Sequence, residues 1–161
     1  MTGSGPAVMS QPAPERPETE VVETRFGQVT IYRKNPIIFA TGLLGMPDKM
    51  QFCLTSFSTQ KLARFKLLQS LEDMSLSFIT LPVDFDNPVV ARADLEQAAK
   101  DLGIPADQLA TLFIVSVHRE AGSVKLSVNA RAPIFLHTTR RLATQYVFPH
   151  TKYDIRHMIT L

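Results

Sequence analysis

The sequence predicts a mainly β protein, an antiparallel, closed or partly open small β-barrel with one or two short helices. Three observations predict this class. About nine segments of strand length are rich in aromatic and β-branched residues, most links between them are short, and one segment has helical spacing. Short links favour antiparallel pairing of consecutive strands. A sheet of that many strands, with so little helix to cover it, must curl or close on itself to bury its apolar face.

Length and composition predict one folded domain after a short tail. The chain has 161 residues, of which 45% are hydrophobic and 20% are charged, as is ordinary for a globular domain. Residues 1–20 contain four prolines, polar fillers and almost no bulky apolar side chains. Such a segment buries too little surface to offset its ordering entropy. We therefore expect a disordered tail over residues 1–20 and a single domain over residues 21–161.

The strands follow from alternation and from short apolar runs. Val29 and Ile31 alternate with polar neighbours after Gly27, which is the pattern of a half-buried strand. The next strand candidate, "PIIFATGLLG", runs into a turn that contains two glycines. The remaining strand candidates are "QFCLTS", "RFKLLQS", "LSFITLP", "TLFIVSVH", "VKLSVNA", "PIFLHT" and "RLATQYVF".

One helix is predicted between the earlier and the later strands. Its apolar positions have the i, i+3, i+4, i+7 spacing of a single helical face. They are Leu95, Ala98, Ala99 and Leu102. Gly103 stands where such a helix should end. This pattern predicts a helix over residues 94–102, and "PADQL" after it predicts one more helical turn.

Charge is distributed unevenly along the chain, although the formal net charge is only +2. Residues 71–107 carry eight acidic residues against two basic ones, whereas residues 119–161 carry seven basic residues against two acidic ones. An acidic region of this kind could steer a basic partner toward the molecule. Solvated surface faces give the same pattern, so both interpretations stay open at this point.

The cysteine count and the hydropathy pattern predict a cytoplasmic protein without a membrane partner. Cys53 is the only cysteine, which excludes intrachain disulfides and cysteine-based metal sites. No run of 18 apolar residues is present. The N-terminal segment also lacks the basic start and apolar stretch of a secretory signal.

Motifs for catalysis, metals and cofactors are missing. The four histidines, His118, His137, His150 and His157, occur singly and without metal-ligand spacing. "TGLLGMPDK" has two glycines but no Lys-Ser/Thr pair to cradle a phosphate. Cys53 lies inside an apolar strand, where cysteine usually serves as a small hydrophobe. We therefore predict no catalytic residue, no cofactor and no metal, and hence a non-enzymatic binding protein.

Two adjacent carboxylates, Glu72 and Asp73, lie between two strand-like stretches and allow three interpretations. Acid–base catalysis is the weakest, because neighbouring residues of a strand point to opposite faces and rarely converge. Aspartate also favours turns, since it bonds to its own backbone. The third interpretation is contact with a partner.

Several segments together resemble the FliW family of bacterial flagellar assembly factors. "LQSLEDMSLSF" (68–78) resembles the family's L-Q-S-L-E-D-P-x-L-x-F, its most distinctive segment. The other similar segments, in family order and spacing over residues 22–159, are "TRFG" (24–27), "IIFATGLLGM" (37–46), "NARAPI" (129–134), "TRRLATQYV" (139–147) and "YDIRHMI" (153–159). Leu44 and Met74 stand where the family has proline, so those turns are less rigid here.

The resemblance implies a cytoplasmic, non-enzymatic barrel protein with two partners. Family members bind flagellin and the RNA-binding translational regulator CsrA, and binding to CsrA relieves its repression of flagellin translation. We expect Glu72 and Asp73 to lie in an exposed turn and to contact a basic partner, with the acidic residues of 84–107 adding long-range attraction. The predicted partner-binding residues are Gly42, Gly45, Gln69, Ser70, Leu71, Glu72, Asp73, Asn129, Pro133 and Arg156.

Alternatives exist for some of these roles. Asn129, Ala132 and Pro133 could serve only to bend a strand at the edge of the barrel. Arg156 and His157 could belong to a C-terminal strand held by hydrogen bonds. The basic C-terminal third suggests a small RNA-binding barrel as the alternative function, although the family resemblance implies no direct nucleic-acid contact. That surface would use Arg131, Arg140, Arg141 and Lys152. Without heptads the sequence gives no sign of a coiled coil, and we expect a monomer.

Overall fold

A computed structural model describes residues 18–160, which form eleven strands, one α-helix and two short 3-10 turns. The strands are β1 Thr19–Thr24, β2 Gly27–Tyr32, β3 Ile37–Phe39, β4 Gln51–Ser56, β5 Lys66–Ser70, β6 Ser77–Pro82, β7 Leu109–Glu120, β8 Ser123–Val128, β9 Ile134–His137, β10 Leu142–Gln145 and β11 His157–Ile159. The helix α1 is Arg92–Asp101, and the 3-10 turns are Gln60–Leu62 and Ala106–Gln108. Most of the predicted tail, residues 1–17, lies outside the described residues.

Seven of these strands close into a barrel. The order is β7-β6-β5-β4-β3-β10-β9, and β9 returns to β7 through the pairs Leu109–His137 to Leu112–Ile134. The predicted fold class, a mainly β small barrel, is confirmed. One pair departs from the antiparallel pattern: β3 and β10 are parallel, with Ile38 opposite Leu142.

β7 is long enough to belong to two sheets. Its first half pairs with β9, whereas its second half pairs with β8 from Val115–Val128 to Glu120–Ser123. β8 pairs in turn with β11. The second half of β7, β8 and β11 therefore form a three-stranded extension that leaves the barrel wall.

The β1–β2 hairpin covers the outside of the barrel at β4. Thr55 Oγ1 donates to the Thr30 carbonyl at 2.6 Å, and the Tyr32 N–H donates to Cys53 Sγ at 3.2 Å. The predicted alternation of β2 is confirmed, because Val29 and Ile31 are buried. β1 begins at Thr19, two residues before the expected start of the domain, because its backbone pairs with β2.

Side chains alternate between the barrel interior and the outer layers. The interior cluster includes Phe39, Phe52, Leu68 and Ile134 from four strands of the wall. Leu67, next to Leu68, instead packs under the hairpin. Because successive side chains of a strand point to opposite faces, a strand of the barrel wall can contribute both to the interior cluster and to a cluster on the outer face.

Helix α1 covers a third cluster on the outer face of the barrel and the extension. Leu95, Ala98 and Ala99 are buried there as predicted. The helix begins two residues earlier and ends one residue earlier than expected, at Asp101. Gly103 adopts φ +72°, which stops the helix.

Candidate partner-binding site

The turn between β5 and β6, residues 71–76, is built around a buried amide. Gln69 is fully buried, and its Nε2 donates to the carbonyl oxygens of Ser70, Met74 and Leu76 at 3.1, 3.2 and 3.1 Å. These bonds hold the carbonyls of the turn together where the strand ladder ends, at the Leu76 carbonyl that also accepts the Ser70 N–H. Gln69 is therefore the internal support of the turn and presents no surface to a partner.

Ser70 and Leu71 are also internal. Ser70 is fully buried, and its Oγ accepts the N–H groups of Glu72 and Asp73 at 3.1 and 3.0 Å. Leu71 is buried in the cluster beneath the β1–β2 hairpin. The predicted stretch from Gln69 to Asp73 is thus divided: three residues shape the turn, and two carboxylates reach its surface.

Glu72 is exposed and also anchors a neighbouring loop. Its Oε1 accepts the main-chain N–H groups of Met50 and Gln51 at 2.7 and 2.6 Å. These two hydrogen bonds lower the pKa of the Glu72 carboxyl, because they favour its charged form. The carboxylate is consequently ionised at neutral pH, and one oxygen is committed to the protein.

Asp73 closes its own turn, as the turn interpretation predicts. Its Oδ1 accepts the Ser75 hydroxyl at 2.6 Å and the Ser75 N–H at 3.0 Å. The hydroxyl bond, followed by the N–H bond, lowers the pKa of the Asp73 carboxyl. The two carboxylates therefore bind different groups, and each keeps its negative charge at the end of the barrel.

The loop between β3 and β4 lies beside this turn. Gly42 adopts φ +70°, and a Cβ there would lie 2.5 Å from the Met46 carbonyl oxygen. Gly45 adopts φ +81° with open space around it. Gly42 is therefore required by packing within the loop, whereas Gly45 lies at its outer side next to the exposed Leu44.

The two segments together form a surface that we call the acidic rim, defined as Asp48, Met50, Glu72, Asp73 and Met74, of which Asp73 is half-buried and the others are exposed. Glu72 links the segments through its bond to the Met50 N–H. Met50 and Met74 are exposed, and Asp48 is ion-paired only to its neighbour Lys49 among the described residues. Flexible methionines beside fixed negative charges suit a protein–protein contact.

The rim residues Asp48 and Met50 were not predicted. They join Glu72 only through the folding of β4 against β5, and nothing in their local sequence signals that contact. The distance along the chain from Met50 to Glu72 is 22 residues.

The turn at Asn129 and Pro133 lies at the same end of the barrel, but its contacts are internal. Asn129 Oδ1 accepts the Ala132 N–H at 3.1 Å, and the carbonyl of the buried Pro133 accepts the Tyr146 N–H at 2.9 Å. Gln145 joins this turn to the β3–β4 loop, since it accepts the Leu44 N–H and donates to the Ala132 carbonyl. These bonds favour the strand-bending role over direct contact.

Arg156 is exposed at the entry to β11, on the three-stranded extension. Among the hydrogen bonds and ion pairs within residues 18–160, none joins it to the acidic rim. Its role in partner binding stays a prediction.

Within residues 18–160 no group of three or more His, Cys, Asp and Glu side chains is placed to hold a metal ion. No helix among the described residues is long and apolar enough to cross a membrane.

Comparison with known proteins identifies the family. The FliW protein family matches residues 20–159. The chain belongs to the FliW family. It is 30% identical over 133 residues to the flagellar assembly factor FliW of Clostridium beijerinckii, covering 81% of this chain and 90% of that protein. FliW of Geobacter sulfurreducens is 27% identical, with 85% and 84% covered. A crystal structure of the flagellar assembly factor FliW has the same fold, with a TM-score of 0.60 at 23% identity over 86% of this chain and 96% of the other.

Proposed function

We propose that this chain is a non-enzymatic flagellar assembly factor that acts in the cytoplasm by binding flagellin and CsrA. Its FliW relatives carry the name of flagellar assembly factor. Binding to CsrA relieves the repression of flagellin translation, and flagellin competes for the chain. The acidic rim is the observation that carries this proposal.

The rim fits a basic partner for two reasons. Glu72 and Asp73 have lowered pKa values through hydrogen bonds within the protein, so their charges are fixed in place before a partner arrives. CsrA binds RNA, and RNA-binding proteins carry basic surfaces that neutralise phosphates. The exposed Met50 and Met74 add apolar area to the contact.

The acidic residues of 84–107 belong to a different part of the molecule. They follow the far end of β6, whose six residues span roughly 17 Å from the 71–76 turn. The Debye length at physiological ionic strength is about 8 Å. We therefore assign recognition to the rim itself, and long-range attraction from 84–107 contributes only at low salt.

The RNA-binding alternative has less support. Arg131 Nε donates to the Tyr153 carbonyl, Arg141 Nε donates to the Asn35 carbonyl, and Lys152 is ion-paired to Asp94. Three of the four basic residues in that interpretation are thus committed to bonds within the chain. Direct RNA binding should produce a gel shift with a steep salt dependence.

The test replaces charge while keeping hydrogen bonding. The variant Glu72→Gln with Asp73→Asn retains an acceptor oxygen for Met50, Gln51 and Ser75 but removes both charges. We expect at least about tenfold weaker binding of CsrA at physiological ionic strength, where attraction from 84–107 is screened, measured by calorimetry. Flagellin is titrated separately, so that each partner has its own result.

Asp86→Asn is the matched control, because Asp86 is an exposed acid at the far end of β6. It should leave both affinities unchanged. Equal affinity of the rim variant and the wild type for both partners would remove the proposed site, and no binding of either partner to the wild type would remove the proposed function.

A further inference from the structure

A cleft opens where β6 and β7 separate. The two strands pair only through Thr80–Pro82 and Leu112–Ile114. Beyond this point β6 stays with β5, whereas β7 leaves the barrel to pair with β8. The cavity between them has a volume of about 420 Å³, within the range of ligand sites. It is lined by Arg25, Phe26, the start of β6 and the second half of β7.

The open side of β7 presents free main-chain groups. Asn129 N–H donates to the Ile114 carbonyl, so the even-numbered residues of β7 face β8. By the alternation of an antiparallel ladder, Val117 and Arg119 direct their N–H and C=O groups away from β8 and toward the cleft. No strand within residues 18–160 pairs with them on that side.

The opposite wall of the cleft, at the start of β6, also directs main-chain groups toward the cleft. Ser70 N–H donates to the Leu76 carbonyl, and the alternation therefore turns the main chain of Ser77 toward the cleft. Arg25 Nη2 donates to the Ser77 carbonyl at 3.4 Å, which agrees with this direction. The Ser77 carbonyl is therefore already occupied by Arg25 and Ser77 is buried, so the free strand edge of the cleft is that of β7, and an exposed edge is a template for another strand.

The side chains of the cleft indicate the chemistry of the occupant. Phe26, Phe78 and Ile79 are half-buried, and Val117 is 40% exposed, so they form the apolar part of the lining. The charged side chains of the lining are Arg25 and Arg119. Neither is within ion-pair distance of a carboxylate among the described residues, and the nearby Glu120 is paired to Lys125.

We propose that this cleft binds a short extended peptide with acidic side chains, which adds a strand to the free edge of β7. Main-chain bonds to Val117 and Arg119 supply the register, and the two guanidinium groups select carboxylates. The open segment Val115–Glu120 accommodates about six residues of strand. This site is separate from the acidic rim, which selects the opposite charge.

The probe is a synthetic peptide, acetyl-Glu-Val-Asp-Val-Glu-Val-amide, titrated into the isotope-labelled full chain and followed by NMR. We expect shifted amide signals at Val117, Arg119 and Ser77, and slower hydrogen exchange at Val117 and Arg119. Exchange at Ser116 and His118, which already bond to β8, should not change. The same peptide with Gln and Asn in place of its acids should bind about tenfold more weakly or worse.

Variants and modified peptides distinguish the contribution of the two arginine side chains from that of the main-chain hydrogen bonds. Arg25→Gln with Arg119→Gln should weaken binding of the acidic peptide at least about tenfold, whereas Arg140→Gln, an exposed arginine outside the cleft, should not. N-methylation of alternate peptide amides should abolish binding for one set of positions and preserve it for the other, since a strand pairs through one edge. This comparison does not depend on the folding of any variant.

Three outcomes overturn the proposal. They are the absence of amide shifts at about 1 mM peptide, equal binding of the acidic and the neutral peptide, and cleft shifts that grow with protein concentration alone, which would assign the edge to a second copy of the chain. Variants of Glu72 and Asp73 should retain peptide binding, so failure here is distinguishable from failure of the rim.

Discussion

At the scale of single residues, two glycines of one loop serve different purposes. Gly42 and Gly45 both adopt positive φ, but only Gly42 has backbone within 2.5 Å of the position of a Cβ. An alanine at Gly45 meets only the left-handed backbone penalty, about 1–2 kcal/mol. The contact at Gly42 adds an overlap that only movement of the Met46–Pro47 backbone relieves.

We therefore expect Gly45→Ala to lower the free energy of unfolding by about 1–2 kcal/mol and Gly42→Ala to lower it by about 3 kcal/mol or more. Urea denaturation of both variants measures the difference, and each is the other's control. If both variants lost the same free energy of unfolding, the backbone at Met46 would have moved away from the new Cβ at no energetic cost.

The contribution of Glu72 to the stability of the fold depends on pH, because it comes from the ionised carboxylate. The pKa of this carboxyl in the folded chain is lowered by the Gln51 N–H and then by the Met50 N–H, so the folded state favours the ionised carboxyl. This contribution is fully present above the ordinary pKa, near 4.5, and is lost as the pH falls through the lower folded value.

The variant Glu72→Gln cannot titrate at this position. We expect the wild type to exceed it in thermal midpoint at pH 7, and the difference should shrink as the pH falls below about 4.5. Thermal scans at several pH values test this. A difference that is constant from pH 7 to pH 3 contradicts a role for the ionised carboxylate.

At the scale of elements, helix α1 is tied to the C-terminal segment by one tyrosine. The buried Tyr153 hydroxyl accepts the Ala91 N–H at 3.0 Å and donates to Asp94 Oδ2. The Tyr153 bond, followed by that of Lys152, lowers the pKa of Asp94. The start of the helix is thus held by a residue about 60 positions away.

We expect Tyr153→Phe to raise amide exchange in the first turn of α1 about fivefold or more, because the helix end loses both bonds. Mass-spectrometric hydrogen exchange measures it. Lys152→Gln, which removes only the exposed ion pair, is the matched control and should have little effect. Similar exchange in both variants would show that the hydroxyl does not hold the helix.

Elements with local signals could be predicted from the sequence. The alternation around Val29 and Ile31 indicated β2, the spacing from Leu95 to Leu102 indicated α1, and Asp73 indicated a turn. β11 was predicted only as the alternative to a partner-binding role at the C-terminus, because its three residues are too few to show a period. Local patterns also could not reveal that the polar Gln69 is fully buried, since its partners are carbonyls that converge only after folding.

At the scale of the whole molecule, closure is the feature that local patterns could not specify. The family resemblance and the strand count predicted a barrel, but the parallel β3–β10 pair joins residues about 100 positions apart. The β7–β9 pair completes the closure and joins Leu112 to Ile134, about 20 positions later in the chain. Closure gives each of the seven barrel strands a partner on both sides, except where β6 and β7 separate at the cleft, whereas β1 and β11 each have one partner strand within residues 18–160.

Hydrogen exchange should therefore divide the molecule into a protected barrel and less protected attachments. Amides of β5, which has β4 and β6 on its two sides, should exchange at the rate set by global unfolding, because both edges are paired and its side chains are buried. Amides of β11 should exchange by local opening, at least about a hundredfold faster, since breaking one ladder exposes them. NMR exchange at two pH values measures both rates and confirms that opening precedes exchange. Equal protection of β5 and β11 would show that the extension unfolds only together with the barrel. The prediction that the three-stranded extension opens while the barrel stays folded would then be wrong.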